Sequence, residues 1–379
     1  MARRGENIYK RKDGRWEGRY GKELRPDGKR AFGYVYAPKY CECKEKLRQA
    51  KAKYMEEQQI NGVATFKKCG GGTVSDFLKF WLHGIVKPHI KVSTYSNYYN
   101  IVEKWLIPAF GKMALNEVGK EEIQCFINAL PGHGLSPGTV RNIYSVLHAA
   151  LSKAKEYGYL SVNASEGTRL PKMEQKRPRA LTLWEQKTLE KTAKEDKFGF
   201  AVLLASYTGM RIGEICGLTW KDVDLENGVI HVSKTVRRIQ CHDPGAPAKT
   251  AVVVGSAKSD RSERYIPLPE RIAVLLREQR EAATGEYVLS LRGKPLEPRI
   301  LQYRFKVLLK KAGLADINFH ALRHTFATRC LELMFDIKTL SEILGHASAK
   351  MTLDLYAHSQ IAQKRQAMGT LDQLFDQTA

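Results

Sequence analysis

The chain has 379 residues, enough for two to three domains with sizeable cores. Its 62 Lys+Arg against 40 Asp+Glu give a formal net charge of +22 and a pI near 9.6, which makes a polyanion the expected partner. Seven scattered cysteines fit neither a disulfide framework nor a zinc site, and there is no leader-like N-terminus or membrane-length apolar run, so a cytoplasmic protein with free thiols is expected.

Residues 1–68 hold 19 Lys+Arg against 9 Asp+Glu, a local excess of basic charge. Turn signals at Asp13-Gly14 and Pro26-Asp27-Gly28 divide runs rich in Tyr, Trp, Phe and Val. The spacing predicts strands near 7–12, 15–21 and 30–37 and a helix near 42–59, a small basic α+β domain. Trp16 and Tyr20 share one face of the second strand, and Phe32, Tyr34 and Tyr36 share one face of the third. These aromatics are expected to meet the helix. Lys10, Arg11, Lys12, Arg15, Arg19, Lys29 and Arg30 are left to the other sheet face as a phosphate or groove reader.

Lys67 to Gly72 reads as a flexible hinge. Residues 73–165 then read as an all-helical bundle. Phe77, Phe80 and Trp81 fall at i, i+3 and i+4, and Tyr98, Ile101, Val102, Trp105 and Leu106 repeat that spacing. Ser136-Pro137 starts a helix whose buried stripe is Val140, Ile143, Tyr144, Leu147, Leu151 and Ala154. A second linker, Leu170 to Arg179, carries Lys172, Lys176, Arg177 and Arg179, a run that is either solvated or laid along a nucleic-acid backbone.

The third domain, 180–379, opens at Thr182-Leu183-Trp184-Glu185, a helix-capping sequence. It is expected to be mostly helical with a small antiparallel sheet: a strand over Val229–Val236, a hairpin over roughly 250–267, and helices thereafter. After residue 360, Ile361, Met368, Leu371, Leu374 and Phe375 fall close to a helical stripe.

This last domain carries the candidate chemistry. Arg211 sits in Thr208-Gly209-Met210-Arg211-Ile212-Gly213-Glu214, His320 and Arg323 sit in His320-Ala321-Leu322-Arg323-His324, His346 follows Leu344-Gly345, and Tyr356 precedes Ala357-His358. Lys258 lies between the first two motifs. Two guanidiniums, an ammonium and two imidazoles ahead of a tyrosine suit phosphodiester chemistry. Arginine forks bind two phosphate oxygens at once, and a phenol with a pKa near ~10 needs help to ionise. Singly, each residue has a plainer reading: Arg211 and Glu214 as a surface ion pair, His320 and Arg323 as a basic helix face. The ordered set is what carries the inference. A metal site from His320, His324, Cys330, His346 and His358 is the rival reading, but an arginine among the ligands would repel a divalent cation, so no metal is expected. His324 and His358 are left as structural residues.

The ordered motifs resemble the active-site pattern of tyrosine recombinases, the phage and transposon integrase family, and most closely integrases of conjugative transposons and temperate phages of Gram-positive bacteria. The resemblance implies that Arg211 and Arg323 clamp the non-bridging oxygens. Lys258 protonates the leaving 5′ oxygen, His320 exchanges a proton with the nucleophile Tyr356, His346 adds a donor, and Glu214 orients its neighbours. It also implies an arm-type DNA-binding domain over 1–68, a helical core-DNA-binding domain over 73–165, and a catalytic domain with a C-terminal tail that docks on a neighbouring protomer. Cutting and rejoining of double-stranded DNA would pass through a 3′-phosphotyrosine and a four-way junction in a homo-tetramer, without cofactor. An excisionase and a DNA-bending host protein would assist, in a bacterial cytoplasm at the nucleoid. The rivals are a type IB topoisomerase, which shares this chemistry, and a non-catalytic DNA-binding protein.

Overall fold

The computed structural model describes residues 7–24, 30–51, 53–54, 72–173, 179–242, 248–256, 263–346 and 368–369. They fall in two compact units, one of residues 1–174 together with 239–251, the other of 175–238 with 252–379.

The first unit begins with an antiparallel sheet of β1 (Ile8–Lys10), β2 (Trp16–Leu24) and β3 (Arg30–Ala37), in that order. Helix α1, over 40–51, packs on one face. The core between them is Ile8, Ala37, Cys43 and Leu47, with Trp16, Tyr20, Val35 and Tyr40 around it. Tyr20 fits there because its ring lies over Gly33, where an added Cβ would come within 2.2 Å of it. The third-strand aromatics do not meet the helix as expected. Pairing of Arg19 with Tyr34 and of Glu17 with Tyr36 sets Phe32, Tyr34 and Tyr36 on the opposite face, and Val35 and Ala37, with Gly33 in register, take the helix side. The outer face is therefore aromatic as well as basic.

The helical part of this unit runs through α2 (Val74–Phe80), α3 (Val92–Ile101), α4 (Ile107–Phe110), α5 (Lys120–Ala129) and α6 (Pro137–Glu156). Thr73 and Asp76 cap the start of α2 reciprocally, and the Ser136 hydroxyl accepts from the Thr139 N–H at the start of α6, with Pro137 in the first turn. Helices α2 and α3 each widen at their C-terminal ends into turns with i to i+5 hydrogen bonds, over Trp81–Val86 and Val102–Leu106. Of the expected stripes Phe77, Trp81, Val102, Leu106, Val140, Ile143, Leu147 and Leu151 are buried, Tyr98, Trp105 and Tyr144 are only partly so, and Leu82, Ile123 and Ile127 complete the core. Within the same unit His242 stacks on Tyr99 at 4.0 Å and hydrogen-bonds the Ser96 hydroxyl at 3.0 Å.

The second unit starts with α7 (Leu183–Lys194), whose N-cap Thr182 and Glu185 form the predicted reciprocal cap. Helix α8 (Gly199–Thr208) is apolar on every side and buried almost throughout, so it forms the centre of the core. Next come α9 (Ile212–Gly217), then β4 (Val223–Asp224), β5 (Val229–Val232), β6 (Lys234–Gln240), β7 (Thr250–Ser256) and β8 (Arg264–Pro267). After these lie α10 (Glu270–Glu281), the short pair β9 (Ser290–Leu291) and β10 (Lys294–Pro295), then α11 (Pro298–Lys311), α12 (His320–Glu332) and α13 (Ile337–Leu344).

Two strand expectations need correction. The run Val229–Val236 divides at Ser233, because β5 lies between β4 and β8 whereas β6 pairs with β7. The two arms assigned to one hairpin over 250–267 likewise belong to different sheets. Arg264–Pro267 pairs with β5, burying Ile266 with Ile230, rather than with Thr250–Ser256.

The six described cysteines are free thiols. Among the described residues no helix is long and apolar enough to cross a membrane. Of the tail stripe, Ile361, Leu371, Leu374 and Phe375 lie outside the described residues, and Met368 is exposed.

Candidate active site

Helix α8 ends on Gly209 in the left-handed region (φ 63°), and the chain turns at once into α9. Arg211 is the N-cap of α9. Its backbone N–H donates to Glu214 Oε2 at 2.9 Å and its Nη1 donates to Oε1 at 2.8 Å, so one carboxylate fixes both ends of the arginine. Glu214 is 5% exposed. Burial alone would raise its pKa, but the charge and hydrogen bond of Arg264, with help from Arg211, outweigh it and hold the carboxyl below its usual range.

Arg323 comes from α12, one turn after His320, and is 4% exposed. Its Nη1 donates to the Gly209 carbonyl at 2.9 Å and its Nη2 to the Leu344 carbonyl at 2.6 Å. The His320 ring meets His324 edge to face at 4.7 Å between centroids.

These parts converge on the end of α13. That helix stops at Gly345 (φ 63°), with the Gly345 N–H bonded to Glu342 O and the His346 N–H to Ser341 O, the reciprocal pattern of a Schellman cap. The last three carbonyls then each accept from a different guanidinium. Ile343 O accepts from Arg264 Nε at 2.6 Å, Leu344 O from Arg323 at 2.6 Å, and Gly345 O from Arg211 Nη2 at 3.2 Å. The negative end of the helix dipole thus offsets part of the charge of three arginines and sets His346 beside them.

Burial, then the charges of Arg323, Arg211 and Arg264, push the His346 imidazole down to about 4. His320 is also lowered, by desolvation first and then by His324, Arg323 and Arg211. Both rings are therefore neutral at neutral pH and able to take a proton from, or donate a hydrogen bond to, an incoming group. A histidine whose pKa is depressed on folding adds stability above its unfolded value near 6.5 and loses it as the pH falls toward about 4. Urea unfolding of the protein without DNA is expected to show that loss, and the His346→Gln variant is expected to show less of it. Identical pH slopes for the two would overturn the assignment.

Of the sequence-predicted residues, Arg211, Glu214, His320, Arg323 and His346 are brought together on adjoining elements. Lys258 and Tyr356 lie outside the described residues, as do Lys29, Lys176 and Arg177. Arg264 is the residue that sequence reasoning missed. It alternates with exposed Tyr265 and Pro267 on β8 and so shares the buried face of Ile266. An arginine in a buried register must have partners, and that was the available signal. Among the described residues no group of three or more His, Cys, Asp or Glu side chains is placed to hold a metal ion.

On the outer face of the N-terminal sheet, the Arg19 guanidinium lies 3.8 Å from the Phe32 ring centroid, and Arg11 and Arg15 lie over Tyr36. Tyr9, Tyr34 and Tyr36 are exposed. Lys12 is exposed as well; Lys10 is exposed too, but its pairing with Trp16 puts it on the helix side of the sheet rather than on the outer face expected for it. In the second linker Lys172 and Arg179 are both exposed, and Arg179 is also paired with Glu185 at the start of α7.

The chain matches two family models, one described as the phage integrase family over residues 181–363 and one as the N-terminal SAM-like domain of phage integrases over 73–130. It is 27% identical over 354 residues to the XerC-like tyrosine recombinase of Caldanaerobacter subterraneus subsp. tengcongensis, covering 86% of this chain and 90% of that one. Among solved structures it is similar to the Tn1549 transposon integrase in complex with a circular intermediate DNA, with a TM-score of 0.68 and 23% identity, covering 79% of this chain and 99% of that one. It is also similar to a lambda integrase tetramer bound to a Holliday junction, with a TM-score of 0.57 and 21% identity, covering 90% and 96%.

Proposed function

Because this chain belongs to the phage integrase family, and is thus a tyrosine recombinase acting in DNA strand transfer, we propose that Tyr356 is its nucleophile and that Arg211, Arg323, His320, His346 and Lys258 serve it. The Tyr356 oxygen attacks the scissile phosphorus, the bond from phosphorus to the 5′ oxygen breaks, and the strand is held as a 3′-phosphotyrosine. The phenol proton passes to neutral His320, and the leaving 5′ oxygen takes a proton from Lys258. Attack by the 5′ hydroxyl of a second strand reverses these steps. Arg211 and Arg323 offset the charge that builds on the non-bridging oxygens, and His346 donates a further hydrogen bond. Glu214 keeps Arg211 in line.

The observation that carries this reading is the convergence of three guanidiniums and two neutral imidazoles on the end of α13, faced by a single buried carboxylate. Such a site has surplus positive charge in a partly dry setting and is complementary to an anion. Because the phosphotyrosine keeps the bond energy of the phosphodiester, the reaction is expected to run in EDTA. A duplex nicked beside the cleavage position should trap a covalent adduct there, and mass spectrometry should find the DNA on the peptide containing Tyr356. An absolute need for Mg²⁺ or Zn²⁺, or an adduct on another tyrosine, would sink the mechanism.

The working assembly is taken to be a tetramer on a four-way junction of double-stranded DNA. Residues after 360 would bridge neighbouring protomers, and accessory proteins such as an excisionase or a DNA-bending protein would set direction. Three functional parts, 1–68, 73–165 and 180–379, are proposed. For the first, the aromatic and basic outer face of the sheet supports insertion into a DNA groove, with Arg19 and Tyr34 at its centre. Removal of residues 1–72 is expected to abolish binding at distant repeat sequences while 73–379 still binds and cuts its core site. A truncated protein that cannot cleave would place 1–72 in the catalytic body.

A further inference from the structure

We propose that Arg264 is a positioning residue for strand cleavage, a buried strut that aligns Arg211 through Glu214 and sets the His346 turn through the Ile343 carbonyl. The inference rests on the site reading above and adds to it a residue that acts through its contacts with Glu214 and the end of α13.

The geometry is that of a brace between three elements. Arg264 stands on β8, its side chain is 5% exposed, and its guanidinium bonds both α9 and the end of α13. Nη2 donates to Glu214 Oε2 at 2.9 Å, the same oxygen that accepts the Arg211 backbone N–H. Nε donates to Ile343 O at 2.6 Å, in the last turn of α13. The side chain also passes against Gly345, where an added Cβ would lie 3.0 Å from Arg264 Cδ and 3.1 Å from Nη1. Three residues later than Ile343 comes His346, so one planar group fixes the carboxylate that aims Arg211 and the turn that presents an imidazole.

A lysine could keep the charge but not both bonds, because an ammonium on a flexible stem lacks the rigid fork. The buried carboxylate would then retain one arginine partner instead of two, free to move by fractions of an ångström. Catalytic rates are sensitive to displacement on this scale, at roughly 100-fold for about 1 Å. Arg264 is buried, and the two bonds to Glu214 and Ile343 O are the route by which it would act on Arg211 and His346.

The test uses the full chain with Arg264→Lys and Arg264→Met, single-turnover cleavage of a nicked duplex at saturating DNA, and DNA affinity measured separately. Arg264→Lys should lower the cleavage rate by ~10-fold or more with affinity close to wild type and a modestly lowered unfolding temperature, and Arg264→Met by on the order of 100-fold. NMR titration of the His346 ring reports separately on the loss of the Arg264 charge, and the split between cleavage rate and DNA affinity is the reading that distinguishes positioning. The Met variant should titrate higher than wild type, since a charge that disfavours imidazolium is gone, and the Lys variant should stay near wild type. Combining Arg264→Met with Glu214→Gln should cost no more than the worse single change, because both break one chain of contacts. A wild-type rate in Arg264→Lys, or additive losses in the double variant, would overturn the proposal. Arg264→Lys stays informative if the Met variant fails to fold. Absence of adducts with the wild-type protein would instead count against the site reading itself.

Discussion

With Tyr356→Phe, covalent protein–DNA adducts on a nicked substrate are expected to disappear altogether while binding of the same duplex persists. The substitution removes one oxygen and keeps the ring, so packing and charge are unchanged and the loss is chemical. No other residue in the proposed mechanism forms a bond to phosphorus, so no residual slow pathway to a phosphotyrosine remains. The measurement is denaturing gel analysis of end-labelled DNA beside a binding titration. An adduct that survives at another of the 17 tyrosines would move the nucleophile elsewhere.

Arg211→Ala and Arg323→Ala are each expected to lower the cleavage rate by at least ~100-fold, the scale set by deleting one donor to a developing oxyanion. Arg→Lys at either position should recover little, since one ammonium cannot reproduce a two-point clamp. The two sites should differ in what else they lose. Arg211 has a side chain 37% exposed, and its removal should leave thermal stability near wild type. Arg323 is 4% exposed and bonds the Gly209 and Leu344 carbonyls, so Arg323→Ala should also cost about 2 kcal/mol of folding stability. Calorimetry beside cleavage kinetics checks both. Equal stability losses would show that the site is not built as described.

The motifs around Arg211, His320, Arg323 and His346 were legible because each is short and local, and the structure brings all four together. Helix starts at Ser136-Pro137 and Thr182 were legible for the same reason, since a cap needs only four residues. What escaped depends on partners far apart in the chain. Arg264 meets Glu214 across 50 residues and Ile343 across 79, and no spacing rule links them. The strand after Val229 looked continuous because alternation does not say which neighbour a strand will take, and its halves chose different partners. On β3, alternation correctly separated two faces but not their roles. Bulk suggested that Phe32, Tyr34 and Tyr36 were the inner set, whereas Val35 and Ala37 pack with α1 and Gly33 leaves room for the Tyr20 ring.

The turn at Gly345 has a consequence for how this protein tolerates variation. Random substitution would normally be expected to spare a glycine without chemistry and to punish the residues that act. Here a side chain at Gly345 would have to adopt φ 63° and displace Arg264, and the carbonyls that restrain Arg264, Arg323 and Arg211 all belong to that same turn. One inert position therefore carries the combined sensitivity of three charged ones, and suppressors of a Gly345 variant should be rare, since no single second change can restore three separate contacts.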